Sequence, residues 1–285
     1  GSEMCIRDSN ISSSGVSSQS VKIIQKAGLA AGSNVTAQTV VVLSNCFATD
    51  FEYGNNVTYF YAVVFEASFI ERYTDEEIID VMKTDENRCT PNDNYVISFY
   101  GLEPQTKHVL FLLGFNKDGE RGELIRKEIT TKSGKNQPMA YVDNVTYDAK
   151  TNKWCWETTI GAYSTKYYQW VLEYNPAFYG SGKDAFVAWT FSKKIKEGVF
   201  TPILQSSSWT YTGTAGVTQF QTVTWGVGQD GELGGTIENT CWILNSNGVK
   251  NVNESNRNTA KGIAHIGMIV NENTLFKGAT ITRIR

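Results

Sequence analysis

Three landmarks recur in the same order and at nearly constant separation along this 285-residue chain. Tyr59, inside an aromatic run, has a counterpart in Tyr167. A helix start at Thr74 has one at Ser181, and Gly114-Phe-Asn-Lys-Asp118-Gly119 has one in Gly226-Val-Gly-Gln-Asp230-Gly231. Ordered self-similarity of this kind implies one folded unit copied in tandem. With 41% hydrophobic and 12% aromatic residues, the chain can close a core in each copy.

Within the first copy, Val21–Ile24 and Val35–Ser44 are rich in β-branched residues and bounded by turn formers, which predicts strands, and Asn45–Asn56 reads as a loop. Val57–Glu66 is too continuously apolar for a strand with one wet face and reads as a central strand covered on both sides. Thr74 and Glu77 then form an S/T-x-x-E capping box, with Ile78 and Met82 on one face and acids crowding the first turn, so a short helix is predicted there. Tyr95–Tyr100 is the next strand. Asp118-Gly119 turns the apolar run His108–Phe115 into Leu124–Thr131, a strong hairpin signal. Both parities of His108–Phe115 are apolar, so the inserted helix is expected to cover the face that the core does not.

After a polar linker at Ser133–Gln137 the pattern restarts, with strands at Met139–Thr146, Lys153–Ile160 and Lys166–Tyr174. A helix is predicted over Ser181–Glu197, opening at Ser181-x-x-Asp184, carrying Phe186, Val187, Phe191 and Ile195 at helical spacing, and stopping at Gly198. Ser207–Thr212, Phe220–Gly228 and Gly234–Asn239 complete the strands. Val223, Trp225 and Val227 share one parity while Thr222 and Thr224 take the other, which leaves the inward face of that strand undecided. The tail, Asn245–Arg285, begins as an Asn-rich exposed loop. Its strand-like segments Ile263–Val270 and Ala279–Ile284 either add edge strands to the second copy, the favoured reading, or pack between the copies.

The fold read from this pattern is mainly β: two tandem Ig-like β-sandwiches, each with a short helix inserted after its central strand. Residues 21–133 form the first and 138–285 the second, with 245–285 as an extension, while the Ser-rich residues 1–20 are a leader or junction segment. Leu102-x-Pro104-x-Thr106-x-His108 resembles the E–F corner of fibronectin type III domains, and the whole resembles paired modules of Bacteroidetes-type surface and periplasmic proteins. That resemblance implies an extracytoplasmic, non-enzymatic protein, and it places the family's corner tyrosine on His108 and on Phe220. His108 can still reach back to the backbone; Phe220 has no polar atom to do so. A lipid anchor at Cys5 fits such a protein, although the apolar lipobox that should precede it is absent.

Composition narrows the chemistry. A formal charge of −3 and a pI near 5.6 leave no basic footprint for nucleic acid. No apolar run approaches the ~18 residues of a membrane span. Five scattered cysteines, Cys5, Cys46, Cys89, Cys155 and Cys241, read as small buried hydrophobes, with a single Cys46–Cys89 bridge as the alternative. Gly226-Val-Gly228-Gln-Asp-Gly231 satisfies G-x-G-x-x-G but is followed by ELGGTIENT rather than a helix start, so it reads as a hairpin turn. Tyr179-Gly180-Ser181-Gly182-Lys183-Asp184 lacks the spacing and hydroxyl of a phosphate loop, and Asn116, Asp118 and Glu120 lack the further ligands of a calcium loop. No catalytic residue, cofactor or metal ligand is therefore assigned. Large rings crowd the second copy, and Trp189, Trp209 and Tyr211 are the candidate binding residues: Trp189 lies off the Val187–Phe191–Ile195 stripe and Trp209 sits among serines. The expected role is a binding or spacer module for a glycan or surface protein. A fimbrial or adhesin subunit and an accessory domain of a glycan-degrading system are the alternatives.

Overall fold

A computed structural model describes residues 28–92, 96–174, 178–180, 182–212, 218–252, 265–268 and 280–284. The leader with Cys5, the strand expected at Val21–Ile24 and the helix start expected at Ser181 lie outside them. The first unit runs β1 (Val35–Val42), β2 (Cys46–Tyr53), β3 (Tyr59–Glu66), α1 (Ala67–Ile70), α2 (Asp75–Met82), β4 (Arg88–Cys89), β5 (Val96–Tyr100), β6 (Lys107–Phe115) and β7 (Ile125–Thr130). The second runs β8 (Ala140–Asp148), β9 (Lys153–Ile160), β10 (Lys166–Glu173), α3 (Asp184–Lys196), β11 (Ser207–Thr212), β12 (Gln219–Val227), β13 (Glu238–Asn245) and β14 (Gly248–Val252), followed by β15 (His265–Met268) and β16 (Thr280–Ile284).

These strands form four antiparallel sheets ordered β1-β2-β5-β15 (sheet I), β4-β3-β6-β7 (sheet II), β16-β11-β9-β8 (sheet III) and β10-β12-β13-β14 (sheet IV). Sheets I and II enclose Phe47, Phe60, Ile97, Phe99, Leu110 and Leu112, and sheets III and IV enclose Trp154, Trp156, Tyr167, Trp209, Tyr211 and Phe220. The order β1-β2-β5 opposite β4-β3-β6-β7 recurs as β8-β9-β11 opposite β10-β12-β13, so the chain is two fibronectin type III-like sandwiches in tandem.

The repeat extends to individual hydrogen bonds. Gly122 donates to Gly114 O at 2.8 Å as Gly234 does to Gly226 O at 2.9 Å, and Asn116 donates to Glu120 O at 3.0 Å as Gly228 does to Glu232 O at 2.9 Å. Gly119 and Gly231 occupy the turns at φ 78° and 83°. A Cβ at Gly114 would strike Ser33 O, and one at Gly226 would strike the Pro138–Met139 backbone, so both hairpins require glycine where the chain enters each sandwich. The G-x-G-x-x-G match is thus the second of two equivalent hairpins. One landmark shifts: Lys166 faces Val227 as Tyr59 faces Phe115, so the counterpart of Tyr59 is Lys166, and Tyr167 matches the inward Phe60. A one-residue offset exchanges the two faces of a strand.

The Thr74 capping box is present, with Glu77 N donating to Thr74 Oγ1 at 3.3 Å and Thr74 N donating to Glu77 Oε2 at 2.8 Å. It starts a helix that lays Ile78, Ile79 and Met82 on Val63, Val109, Phe111 and Leu113, the outward parity of β3 and β6. The helix therefore covers the second apolar face, as the strand pattern required. In the second unit Thr222 and Thr224 do point inward, and each is satisfied: Trp242 Nε1 donates to Thr222 Oγ1 at 2.9 Å, and Thr224 Oγ1 donates to Ala140 O at 2.6 Å. Val223 and Trp225 point outward onto α3.

α3 starts at Asp184 behind Lys183, which makes no side-chain cap. It also does more than roof its own unit. Ala185, Phe186, Val187, Ala188 and Phe191 share one buried cluster with Trp170, Leu172, Val223 and Trp225 of sheet IV and with Val41, Leu43, Cys46, Ala48 and Val96 of sheet I. The molecule is therefore layered in series: α1 and α2, sheet II, sheet I, α3, sheet IV, sheet III. Polar contacts add to the joint, with Ser44 N donating to Gly235 O and Lys132 Nζ to Leu233 O, both at 2.6 Å.

The expected loop at Asn45–Asn56 is instead largely β2, whose ladder bonds to β1 and β5 place it in the middle of sheet I. Gly234 and Gly235 belong to the turn packed on Pro138, Gln137 and Lys132, so the strand expected at Gly234–Asn239 begins at Glu238 and runs to Asn245. The Asn-rich start of the tail is not loop throughout, because Gly248, at φ 100°, turns β13 into β14. The tail strands divide between the units: β16 pairs with β11, whereas β15 pairs with β5 of the first unit. Cys46, Cys89, Cys155 and Cys241 are free thiols. Cys46 faces α3 while Cys89 lies inside the first sandwich, so sheet I separates the two partners of the bridge that was the alternative.

Two predictions test this core. Phe191 is fully buried in the joint, so Phe191→Ala should lower stability by about 3–5 kcal/mol, and denaturant unfolding followed by fluorescence should change from one transition to two. Glu238 faces Thr224, on the inward side of β13, and burial pushes its carboxyl up to about 7, against the Val142 N–H that lowers it. Between the ordinary glutamate value of about 4.3 and 7 the folded state binds more protons than the unfolded, so stability falls as pH rises through that window. Glu238→Gln should flatten the dependence of Tm on pH between about 4.5 and 8 and raise Tm at the alkaline end, read by differential scanning calorimetry.

Candidate binding surface

β11 reads SSWTYT, and its alternation puts Ser208, Thr210 and Thr212 outward while Trp209 and Tyr211 turn in. Trp209 is only 8% exposed, its ring 6.5 Å from that of Trp156 within the second core. The expectation that it stands out is corrected: the neighbouring hydroxyls took the wet face, and the ring took the other. Tyr211 is 1% exposed, and burial, with the Glu173 charge beside it, pushes its hydroxyl up to about 12. Trp189 is half-buried against the inter-unit core, with Lys193 Nζ 5.5 Å from its ring centroid. The three candidates therefore do not form one surface.

The remaining sequence candidates have structural duties. His108 Nδ1 stands 2.9 Å from Thr106 O, the backbone contact that a corner tyrosine would make, and burial lowers its pKa. Asn116 Oδ1 accepts from Asp118 N at 3.0 Å and from Glu120 N at 2.9 Å, while Asn116 Nδ2 donates to Glu120 Oε2 at 2.8 Å. That side chain stabilises the hairpin turn rather than a cation cage.

A different aromatic group reaches the surface. From Phe111 on sheet II the rings of Phe65, Phe69 and Tyr73 follow one another at 6.0, 6.0 and 5.2 Å between centroids, leading outward along α1. Phe69 is 46% exposed, and Arg72 Cζ lies 5.3 Å from the centroids of both Phe69 and Tyr73. On the same side of the unit, Arg88 sits 4.2 Å over Tyr59, which stacks on Phe115 at 4.9 Å, and Arg126, paired with Asp75, sits 5.4 Å over Phe111. A guanidinium held against a ring face is fixed in orientation and keeps donors free for a partner. Val81 is 52% exposed on α2, and the exposed acids Glu71, Glu76, Asp80 and Asp85 surround the ridge. The i, i+4, i+8 spacing of Phe65, Phe69 and Tyr73 was the sequence signal for this surface.

The contrast with the second unit gives the surface its meaning. α3 occupies the equivalent place after β10, and its apolar residues are buried on both sides between two sheets. The α1–α2 insertion buries Ile78, Ile79 and Met82 on its own sheet and leaves Phe69 and Val81 open.

No family model and no curated protein matches the chain. Among solved structures it is similar to the FN1–FN3 domains of chicken CNTN1, at 9% identity, over 72% of this chain and 63% of that one, with a TM-score of 0.25. It is also similar to the central fibronectin-III array of RIM-binding protein, at 8% identity, over 74% of this chain and 62% of that one, with a TM-score of 0.24. The chain thus spans less than two thirds of the length of either structure. Strand order and register carry the fold assignment, not these likenesses.

Proposed function

We propose that the chain is a non-catalytic binding module that holds a protein partner on the α1–α2 insertion of its first unit, outside the cytoplasm. The observation that carries the reading is the unequal fate of two equivalent insertions: one grips a neighbouring sandwich, and the other presents Phe69, Tyr73 and Arg72 to solvent. Aromatic and arginine side chains dominate the energetics of protein interfaces, and here they are already ordered against one another, which reduces the entropy lost on binding. The surrounding acids select a partner with an apolar socket and a basic rim. The two sandwiches, joined through α3, hold that surface in a set orientation, which also suits a spacer. Display in the periplasm or on the outer surface belongs to the same proposal and rests on the resemblance to Bacteroidetes-type paired modules. No helix among the described residues is long and apolar enough to cross a membrane.

The test places a photo-crosslinking residue at Val81 and, as control, at Tyr163 in the second unit, and exposes each protein to intact cells and to a glycan array. A discrete protein adduct from Val81 only, weakened roughly 30-fold in apparent affinity by Phe69→Ala or Arg72→Ala (about 2 kcal/mol each), is the expected result. Equal adducts from both positions, or adducts indifferent to both substitutions, would remove the assignment. Glycan binding lost in Phe69→Ala would turn the same surface into a sugar platform and overturn the protein partner.

A further inference from the structure

β5 and β11 hold the same position in the two units, each forming the outer edge of a three-strand set, β1-β2-β5 and β8-β9-β11. Both are covered by the tail. His265 to Met268 pair with Phe99 to Val96, and Thr280 to Ile284 pair with Thr212 to Ser208, antiparallel in each case. An open edge presents a row of unpaired N–H and C=O groups, and stable proteins blunt such edges with charge, proline, a bulge or brevity. The other edges of this molecule do so. β1 and β8 carry register breaks at Ala37/Val40 and Asp143/Thr146, and β4 is two residues long. β7 carries Arg126, Lys127 and Glu128, β14 carries Lys250, and β10 takes a bridge from Ile203. β5 (VISFY) and β11 (SSWTYT) contain no charge, no proline and no break in register.

We propose that β5 and β11 are strand-accepting surfaces protected by the chain's own C-terminal strands, and that the partner they accept is the same segment of a second copy. A neighbouring chain offers the two strands in the same order and register, so exchange in trans recreates every ladder bond made in cis. Residues 253–264 separate β14 from β15, and residues 269–279 separate β15 from β16. A strand tethered to its own chain is held at an effective concentration of roughly the millimolar range, so crowded copies compete with it. Because one tail serves both units, an exchange engages two edges at once and is reinforced by the second contact.

Thr210 and Thr282 are directly paired, which suits a cross-strand disulfide. Full-length chains carrying Cys5→Ser and Cys155→Ser, the second removing the thiol that faces Thr210 from β9, together with Thr210→Cys alone or Thr282→Cys alone, are mixed at increasing concentration, oxidised with diamide and resolved on non-reducing gels. The expected product is a disulfide-linked heterodimer whose yield rises at least tenfold above that of a Thr282→Cys chain mixed with Ser133→Cys. A yield equal to that control at every concentration would overturn the proposal. In parallel, a chain with Ile281→Pro and Thr282→Pro, which interrupts the β16 ladder, is titrated with a labelled peptide of residues 265–285. Binding of the peptide by this chain, tenfold weaker in the unaltered chain, supports the proposal; equal binding or none by both overturns it.

Discussion

Burial of α3 on two sides is the interaction on which the rest of the molecule depends. A helix that roofs only its own sheet needs one apolar stripe, whereas α3 withdraws Ala185, Phe186, Val187, Ala188 and Phe191 from water into a cluster that reaches both sheet I and sheet IV. Each large apolar side chain so buried contributes about 1.5–3 kcal/mol, and here the gain is shared by two units. The joint also explains why sheet I carries Val41, Leu43, Ala48 and Val96 on what would otherwise be a wet face. The matching outward positions of sheet III hold Thr146, Cys155, Glu157 and Ser208, and no helix packs there among the described residues.

Duplication followed by divergence at a few positions accounts for the asymmetry of the two insertions. The two hairpins, with their glycines and turn hydrogen bonds, have stayed almost superimposable, because a side chain at Gly114 or Gly226 would collide with the chain entering each sandwich. The insertions have not stayed alike. In one copy the helix is short and acidic outward, with an aromatic ridge beside it; in the other it is longer, with an apolar first half buried between two sheets and lysines in its last turn. A single structural device thus packs once as an internal joint and once leaves Phe69 and Val81 open.

Some of this was legible in the residues alone. The duplication, the mainly β character, the Thr74 cap and the need for something to cover the second face of β6 all follow from local chemistry: turn glycines, capping side chains and strand parity act within a few residues. Which rings reach the surface was not so legible. Trp209 and Tyr211 looked available because serines and threonines flank them, yet in an alternating strand polar neighbours mark the opposite face. Conversely, Phe65, Phe69 and Tyr73 share a helical spacing, but α1 between them is only four residues long and has no side-chain cap to mark its start.

What the chain by itself determined is therefore a set of local decisions: the turns at Gly119 and Gly231, the helix start at Thr74, and that two similar units exist. Only the tertiary structure decided which face each strand shows to which neighbour. The inward threonines of β12, the reach of α3 across to sheet I, and the split of the tail between β5 and β11 depend on contacts between residues far apart in sequence. Burial is settled by whatever arrives from elsewhere in the chain, and a residue's immediate neighbours hold no record of that arrival.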